Sequence, residues 1–352
     1  MLKIDDLQTP CVVIDTAKTE ANLRRAQAHA DEHGYALRPH IKTHKLPHLA
    51  RRQVELGAVG ITAQKLGEAE VMADGGITDI FIPYNLVGPQ KLARLLALNE
   101  RVTLSVTADS PDTVAGYAGA FREAPKPLTV LIECDTGGGR CGVQSPAQAL
   151  ALARQISMAP GLRFGGLMTF PGLRKFVETD RWLGEAKALI EQAGIAVPRV
   201  TAGNSPDMWH TGDLVVTERR PGTYVYYDRS QVAAGSASFA DCAFTVLATV
   251  VSRPTATRAV LDSGSKSLSS DTLGLQGFGV LAGREDVVLT ALSEEHGVIE
   301  LAQPSDWPRV GERVRVIPNH VCVVTNLFDV VHFVDADGSV EPVPVAARGR
   351  VD

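Results

Sequence analysis

At 352 residues the chain is too long for one simple core, and it calls for either a barrel of roughly 200 to 250 residues with a smaller domain or two medium domains. A hydrophobic fraction of 45% and a charged fraction of 21% exclude a disordered chain, and a net charge of -5 without runs of like charge argues against a nucleic-acid or membrane surface as partner. Met1-Leu2-Lys3-Ile4-Asp5-Asp6 lacks the apolar centre of a signal peptide, and no apolar run reaches the roughly 18 residues of a membrane span, so a cytoplasmic protein with five reduced cysteines is expected.

In chain order, a β-rich run at 11–15 leads into a helical segment at 19–32 that Gly34 can cap. Eight further β-rich runs succeed it, at 36–42, 59–64, 79–84, 103–107, 128–135, 163–170, 199–204 and 214–226, the last with an irregular middle. Amphipathic stretches at 66–74, 89–98, 146–158 and 179–193 lie between them, each long enough for a crossover helix. Eight alternating units predict an α/β fold with an N-terminal (β/α)8 barrel over 9–235. The run at 11–15 is surplus to the eight and belongs either beside the barrel or with the C-terminal domain. After residue 236 strands succeed one another without helices, at 242–252, 258–261, 278–281, 287–293, 297–301, 313–318 and 330–334, which predicts a mainly-β domain over 236–352, with 1–8 as a possible addition.

Five segments carry chemistry. Arg38-Pro39-His40-Ile41-Lys42-Thr43-His44-Lys45 stands at the end of the first barrel strand, the catalytic face of such barrels. A lysine projecting into a cavity there is nucleophilic enough to form an imine with an aldehyde cofactor, and Lys42, which completes the strand alternation, suits this better than Lys45. Without other signals the segment reads as a solvated basic loop. Glu133-Cys134-Asp135-Thr136-Gly137-Gly138-Gly139-Arg140-Cys141-Gly142 joins a glycine turn, open to close backbone approach, to one arginine, which could equally pair with Glu133 or Asp135. Gly203-Asn204-Ser205 after the seventh strand and Gly222-Thr223-Tyr224 in the eighth offer clustered backbone donors where barrels often hold a phosphate. Last, His320 and Cys322 stand two apart at a strand end, where an extended chain turns both to one side and leaves an ion's other positions open. Gln64, at the end of the second strand, is a further candidate pocket residue.

Together with Thr9-Pro10-Cys11-Val12-Val13-Ile14-Asp15, these segments resemble the D-threonine aldolase and D-serine dehydratase-like family, relatives of alanine racemase, over nearly the whole chain. The resemblance implies pyridoxal phosphate carried on Lys42, with Arg140 near its phenolic oxygen and Gly203, Asn204, Ser205, Gly222, Thr223 and Tyr224 around its phosphate. It also implies a divalent metal on His320 and Cys322, a small D-3-hydroxy amino acid as substrate, and a homodimer with active sites shared between chains. The D-threonine aldolases of this family typically show His-x-Asp where this chain has His-x-Cys, the pattern of the D-serine dehydratases. A thiolate and an imidazole suit zinc better than manganese or magnesium. Dehydration to a keto acid and ammonia is therefore expected, with retro-aldol cleavage as the alternative; racemisation, or a non-catalytic cofactor-binding role, fits less well. In the sixth-strand segment Gly166-Leu167-Met168-Thr169-Phe170-Pro171-Gly172 some family members carry a histidine that is absent here. The polar loop at 262–271 is read either as a wall of the partner's site or as a solvated turn.

Overall fold

The computed structural model describes residues 2–212 and 215–352. Eight strands form a wholly parallel sheet: Ala36–Leu37, Ile61–Thr62, Asp79–Ile82, Thr103–Ala108, Leu128–Cys134, Leu162–Thr169, Val200–Ala202 and Glu218–Arg219. The last pairs with the first, Glu218 opposite Ala36, and a bridge between His40 and Thr62 joins the first to the second, so the sheet closes. Every expected run overlaps one of these strands. The first pairs regularly only at Ala36–Leu37, because Pro39 has no N–H to donate, and the chain then tightens into a 3-10 turn at Ile41–Thr43. The eighth run is expected over 214–226 but pairs only at Glu218–Arg219; Pro221 and Gly222 end it, a 3-10 turn takes Thr223–Val225, and Leu214 lies outside the described residues.

Helices Leu66–Asp74 and Pro146–Met158 have the bounds that their periodicity predicts. The second begins with Pro146 at a position needing no N–H donor, while the Ser145 side chain accepts from the Gln148 amide. Helix Pro111–Phe121, not anticipated, uses the same device with Ser110 and Thr113.

A partly buried ionic cluster lies beside the barrel's first, third, seventh and eighth strands. Arg38 donates from Nε to Glu218 at 2.8 Å and from a terminal nitrogen to Asp79 at 2.5 Å, and Arg199 reaches Glu218 at 3.4 Å. Burial alone would raise the Glu218 pKa, but Arg38 and Arg199 outweigh it and hold the carboxylate below its usual range.

The remaining strands form a nine-stranded sheet in the order Arg258–Leu261, Gly297–Glu300, Arg284–Leu292, Gly279–Leu281, Arg313–Pro318, Phe244–Thr255, Cys11–Asp15, Val330–Val334 and Val340–Pro344. The long strand Phe244–Thr255 pairs again with Arg258–Leu261, which curls this sheet into a second, largely antiparallel barrel. Strand Cys11–Asp15 lies inside it, antiparallel to Phe244–Thr255 with Cys11 opposite Leu247 and parallel to Val330–Val334 with Val12 opposite Val331. Grouped by contact, the smaller unit comprises the chain up to Arg25, Thr43–Lys45 and Thr223–Gly349, and the larger comprises Ala26–Lys42, Leu46–Gly222 and Arg350–Asp352. Strand pairing, not position along the chain, decides membership. The loop at 262–271 turns its hydroxyls inward: Ser263 and Ser267 are buried and 2.9 Å apart, while Lys266 pairs with Glu294 and Glu295 on the surface.

Candidate active site

In the larger unit the candidate residues lie after the carboxyl ends of barrel strands. Lys42 is half-buried between Ile41 and Thr43, both fully buried, in the 3-10 turn after the first strand. Its backbone N–H donates to His40 Nδ1 at 3.4 Å, which puts the imidazole proton on Nε2, and Nε2 donates to Gln64 Oε1 at 3.0 Å. Gln64 also donates to the Pro83 carbonyl at 3.4 Å, so it fixes His40, and His40 in turn holds the backbone of Lys42.

The glycine turn is organised around Asp135. The N–H groups of Gly137 and Gly139 donate to Asp135 Oδ1 at 2.9 and 3.0 Å, and these bonds hold that carboxyl below its ordinary range. Its close backbone approach is thus to its own aspartate rather than to a ligand. Gly142 has φ +120°, and a Cβ there would collide with the backbone of Cys134 and Asp135. Arg140 is half-exposed, lies over the Phe170 ring at 4.7 Å and stands 3.8 Å from Glu133. Burial raises the Glu133 pKa against the pull of Arg140. Arg220, not foreseen as a site residue, is buried beneath them; Nε donates to Thr201 Oγ1 at 2.9 Å and a terminal nitrogen to the Thr169 carbonyl at 2.6 Å, and its pKa falls to about 10 through desolvation.

The seventh- and eighth-strand loops meet where the Gly222 N–H donates to Ser205 Oγ at 2.9 Å. Gly203 has φ +106°, which suits glycine. Asn204 spends its side chain on Asp207, donating to Oδ2 at 3.1 Å and accepting the Asp207 N–H at 2.8 Å. Beyond Gly222 the chain enters the turn holding Thr223 and Tyr224, both buried.

In the smaller unit, strand Arg313–Pro318 ends two residues before His320, and Val321–Leu327 is a helix, not the extended chain expected. His320 is its N-terminal cap residue and Cys322 lies in its first turn, so it is the turn into the helix that brings the two side chains together. Asp228, with a side chain 0% exposed, lies 3.0 Å from His320 Nδ1. Burial alone would lower the His320 pKa, yet Cys322 and Asp228 raise it to about 11. Concentrated negative charge that holds a proton so firmly is also what a divalent cation requires. Thr43, the residue after Lys42, has its hydroxyl 3.2 Å from Cys322 Sγ, and Thr223 Oγ1 stands at 3.9 Å.

The donor sets fit both groups that the sequence implies. A half-buried amine, a guanidinium, a left-handed glycine with a hydroxyl, and backbone N–H groups at the last two strand ends suit a phosphorylated aldehyde cofactor. An imidazole and a thiol backed by a buried carboxylate suit a borderline-soft divalent ion. Among the described residues, the group of three possible donors within 4.8 Å of one another is elsewhere: His29, Glu32 and His33 on the first helix, two of them exposed. Nothing in the local sequence marks Asp228, whose partner His320 is 92 residues away, and Thr43, within the marked segment, meets Cys322 across 279 residues.

Residues 14–230 match the family model described as alanine racemase, N-terminal domain, and residues 243–334 match the putative serine dehydratase domain. The chain is 37% identical to D-threonine aldolase of Arthrobacter sp, over 97% of this chain and 93% of that protein. It belongs to the D-threonine aldolase and D-serine dehydratase-like family. Members of this family are pyridoxal-phosphate-dependent lyases, and so is this chain. Identity is 32% to D-threo-3-hydroxyaspartate dehydratase of Delftia sp. (strain HT23), over 95% of this chain and 96% of that one. The crystal structure of D-threonine aldolase from Filomicrobium marinum matches with a TM-score of 0.92 at 31% identity, covering 100% of this chain and 98% of that one. Solved structures of D-threo-3-hydroxyaspartate dehydratase include one with a histidine replaced by alanine and one, in metal-free form, with the cysteine two positions further on replaced by alanine. Among the described residues no helix is long and apolar enough to cross a membrane.

Proposed function

We propose that this enzyme dehydrates a small D-3-hydroxy amino acid to a 2-keto acid and ammonia, using pyridoxal phosphate carried by Lys42 and a divalent cation, zinc in preference to manganese or magnesium, held by His320 and Cys322. The observation that carries this reading is the thiol of Cys322 beside His320. The histidine and cysteine replaced in the D-threo-3-hydroxyaspartate dehydratase structures have the same spacing. Bound pyridoxal phosphate offers an electron sink for the substrate α-carbon, and a bound cation offers a Lewis acid for the 3-hydroxyl.

The chain's own residues do the rest. Lys42 Nζ, once freed from the cofactor by the substrate amine, takes the α-proton, and the 3-hydroxyl takes up a proton and departs as water; the released enamine tautomerises and hydrolyses with one water to the keto acid and ammonia. Gln64 and His40 hold the backbone from which Lys42 projects. Arg140 places positive charge beside the cofactor's phenolic oxygen. Gly203, Ser205 and Gly222, continuing into Thr223 and Tyr224, hold the phosphate, with Asn204 fixing the loop through Asp207. In this reading the enzyme works as a cytoplasmic homodimer, as its family resemblance implies.

Retro-aldol cleavage to glycine and an aldehyde is the second reading, favoured by the 37% identity to a D-threonine aldolase. Product analysis with D-serine, D-threonine and D-threo-3-hydroxyaspartate, with and without chelator, separates the two. Keto acid and ammonia that vanish on chelation support the proposal. Glycine with acetaldehyde from D-threonine establishes cleavage despite Cys322, and activity indifferent to chelator removes His320 and Cys322 from the chemistry.

A further inference from the structure

Asp228 is a heavily engaged carboxylate of the smaller unit. Its side chain is 0% exposed, and four donors converge on it: Oδ1 accepts from Ser230 Oγ at 2.6 Å and the Gln231 N–H at 3.1 Å, while Oδ2 lies 3.0 Å from His320 Nδ1 and accepts the Val321 N–H at 3.1 Å. The residue is therefore the cap of helix Arg229–Ala234 through one oxygen and a clamp on the start of helix Val321–Leu327 through the other. Capping needs one acceptor, and Ser or Asn serves as well as Asp. A fully buried carboxylate costs several kcal/mol in desolvation when its charge is not matched, so a cap alone does not account for it. The second oxygen has a role that a cap does not require.

We infer that Asp228 is a positioning residue for the metal centre: its Oδ2 fixes the proton of His320 on Nδ1, turns Nε2 towards Cys322, and adds the second negative charge that makes a dication on imidazole and thiolate electrically neutral. This rests on the reading of His320 and Cys322 as metal ligands. An imidazole can ligate only through a nitrogen without a proton, and the partner of the other nitrogen decides which one that is. The Val321 N–H on the same oxygen locks the carboxylate to the backbone one residue from the ligand, so His320 cannot swing away without breaking the helix start. One thiolate leaves a divalent ion with a surplus charge in a site where the His320 side chain is 23% exposed, and Asp228 removes it without occupying a coordination position. The open positions stay available to substrate.

Asp228→Asn tests this, because asparagine retains a capping oxygen but presents an amide in place of one carboxylate oxygen and carries no charge. Cobalt(II) binding to the full chain, loaded with pyridoxal phosphate, is followed by equilibrium titration and by the thiolate-to-cobalt absorbance, alongside thermal melting of the metal-free protein. The expected result is a loss of cobalt affinity of about 10- to 100-fold, the usual effect of removing such a partner. Ser230→Ala, which removes a donor to the other oxygen and leaves His320 untouched, is the control, and its affinity should stay within about twofold of the unchanged protein. Asp228→Asn binding cobalt as tightly as the unchanged protein overturns the proposal. So does a loss of affinity in both variants that tracks their loss of melting temperature, since a structural role alone then explains it. If the unchanged protein shows no cobalt binding that His320→Ala abolishes, the metal assignment falls, and the role of Asp228 with it.

Discussion

Beside the first, third, seventh and eighth strands of the larger barrel, Arg38, Asp79, Arg199 and Glu218 form an ionic cluster; Glu218 is 3% exposed and Arg38 4%. At the strand ends the cationic groups stand apart instead: Lys42 is half-buried, and Arg140, half-exposed, has its Glu133 partner at 3.8 Å rather than hydrogen-bond distance. The same residue types thus serve in two places. Charges that satisfy one another hold the sheet closed, and charges left incompletely matched are able to bind an anionic cofactor.

Substitutions can break this contrast. The largest effect on turnover is expected for Lys42→Ala, at least about 10³-fold, within the range that a general acid or base contributes, and the imine absorbance of the bound cofactor should disappear. Urea denaturation of the same variant should stay within about 1 kcal/mol of the unchanged protein; a collapse in stability would show that the strand ends are structural too. Glu218→Ala should do the reverse, costing about 3–5 kcal/mol by urea midpoint because it strands Arg38 and Arg199, while the fraction still folded keeps its kcat.

The pH dependence sharpens the point. The Glu218 pKa is depressed in the folded state, so its stabilisation is complete above the ordinary carboxylate range and is lost as pH falls through its own lower value. Glu133, whose pKa burial raises, has the opposite sign: its charge weighs against folding at neutral pH, and that burden lifts as the pH drops through its raised value. Melting temperatures recorded across the acid range should show a shallower acid loss for Glu218→Gln than for the unchanged protein. In the smaller unit, Cys322→Asp should move metal preference from zinc towards manganese, read as a reversed order of activation after chelation. The smallest effect is expected for Glu133→Gln, a slight gain in melting temperature at neutral pH that shrinks on acidification; a loss would mean that Arg140 needs the charge.

Much of the barrel is legible in the sequence because local rules agree there. Leu66–Asp74 and Pro146–Met158 carry both helical period and start signals, and the alternation of strand and helix counts to eight. Legibility fails where partners are remote. Val321-Cys322-Val323-Val324-Thr325 is β-branched enough to suggest a strand, yet it is helical, with Asp228 clamping its first N–H across 93 residues. The triple glycine reads as a ligand cradle because positive φ is visible in composition, whereas the claim of Asp135 on those N–H groups is a matter of geometry. Lys42, His320 and Cys322 are marked by segment and spacing; Asp228 beside the last two and Arg220 near the glycine turn are not.

The placement of Cys11–Asp15 bears on how the molecule is made. Both its neighbours, Phe244–Thr255 and Val330–Val334, are synthesised more than two hundred residues later, so the strand waits for most of the chain before it can pair. Until then an apolar Cys-Val-Val-Ile segment stands with both edges unpaired, a ready template for the wrong strand. Chains released before residue 330 are accordingly the ones expected to aggregate, and a chaperone that shields this one short segment would protect the whole nascent chain.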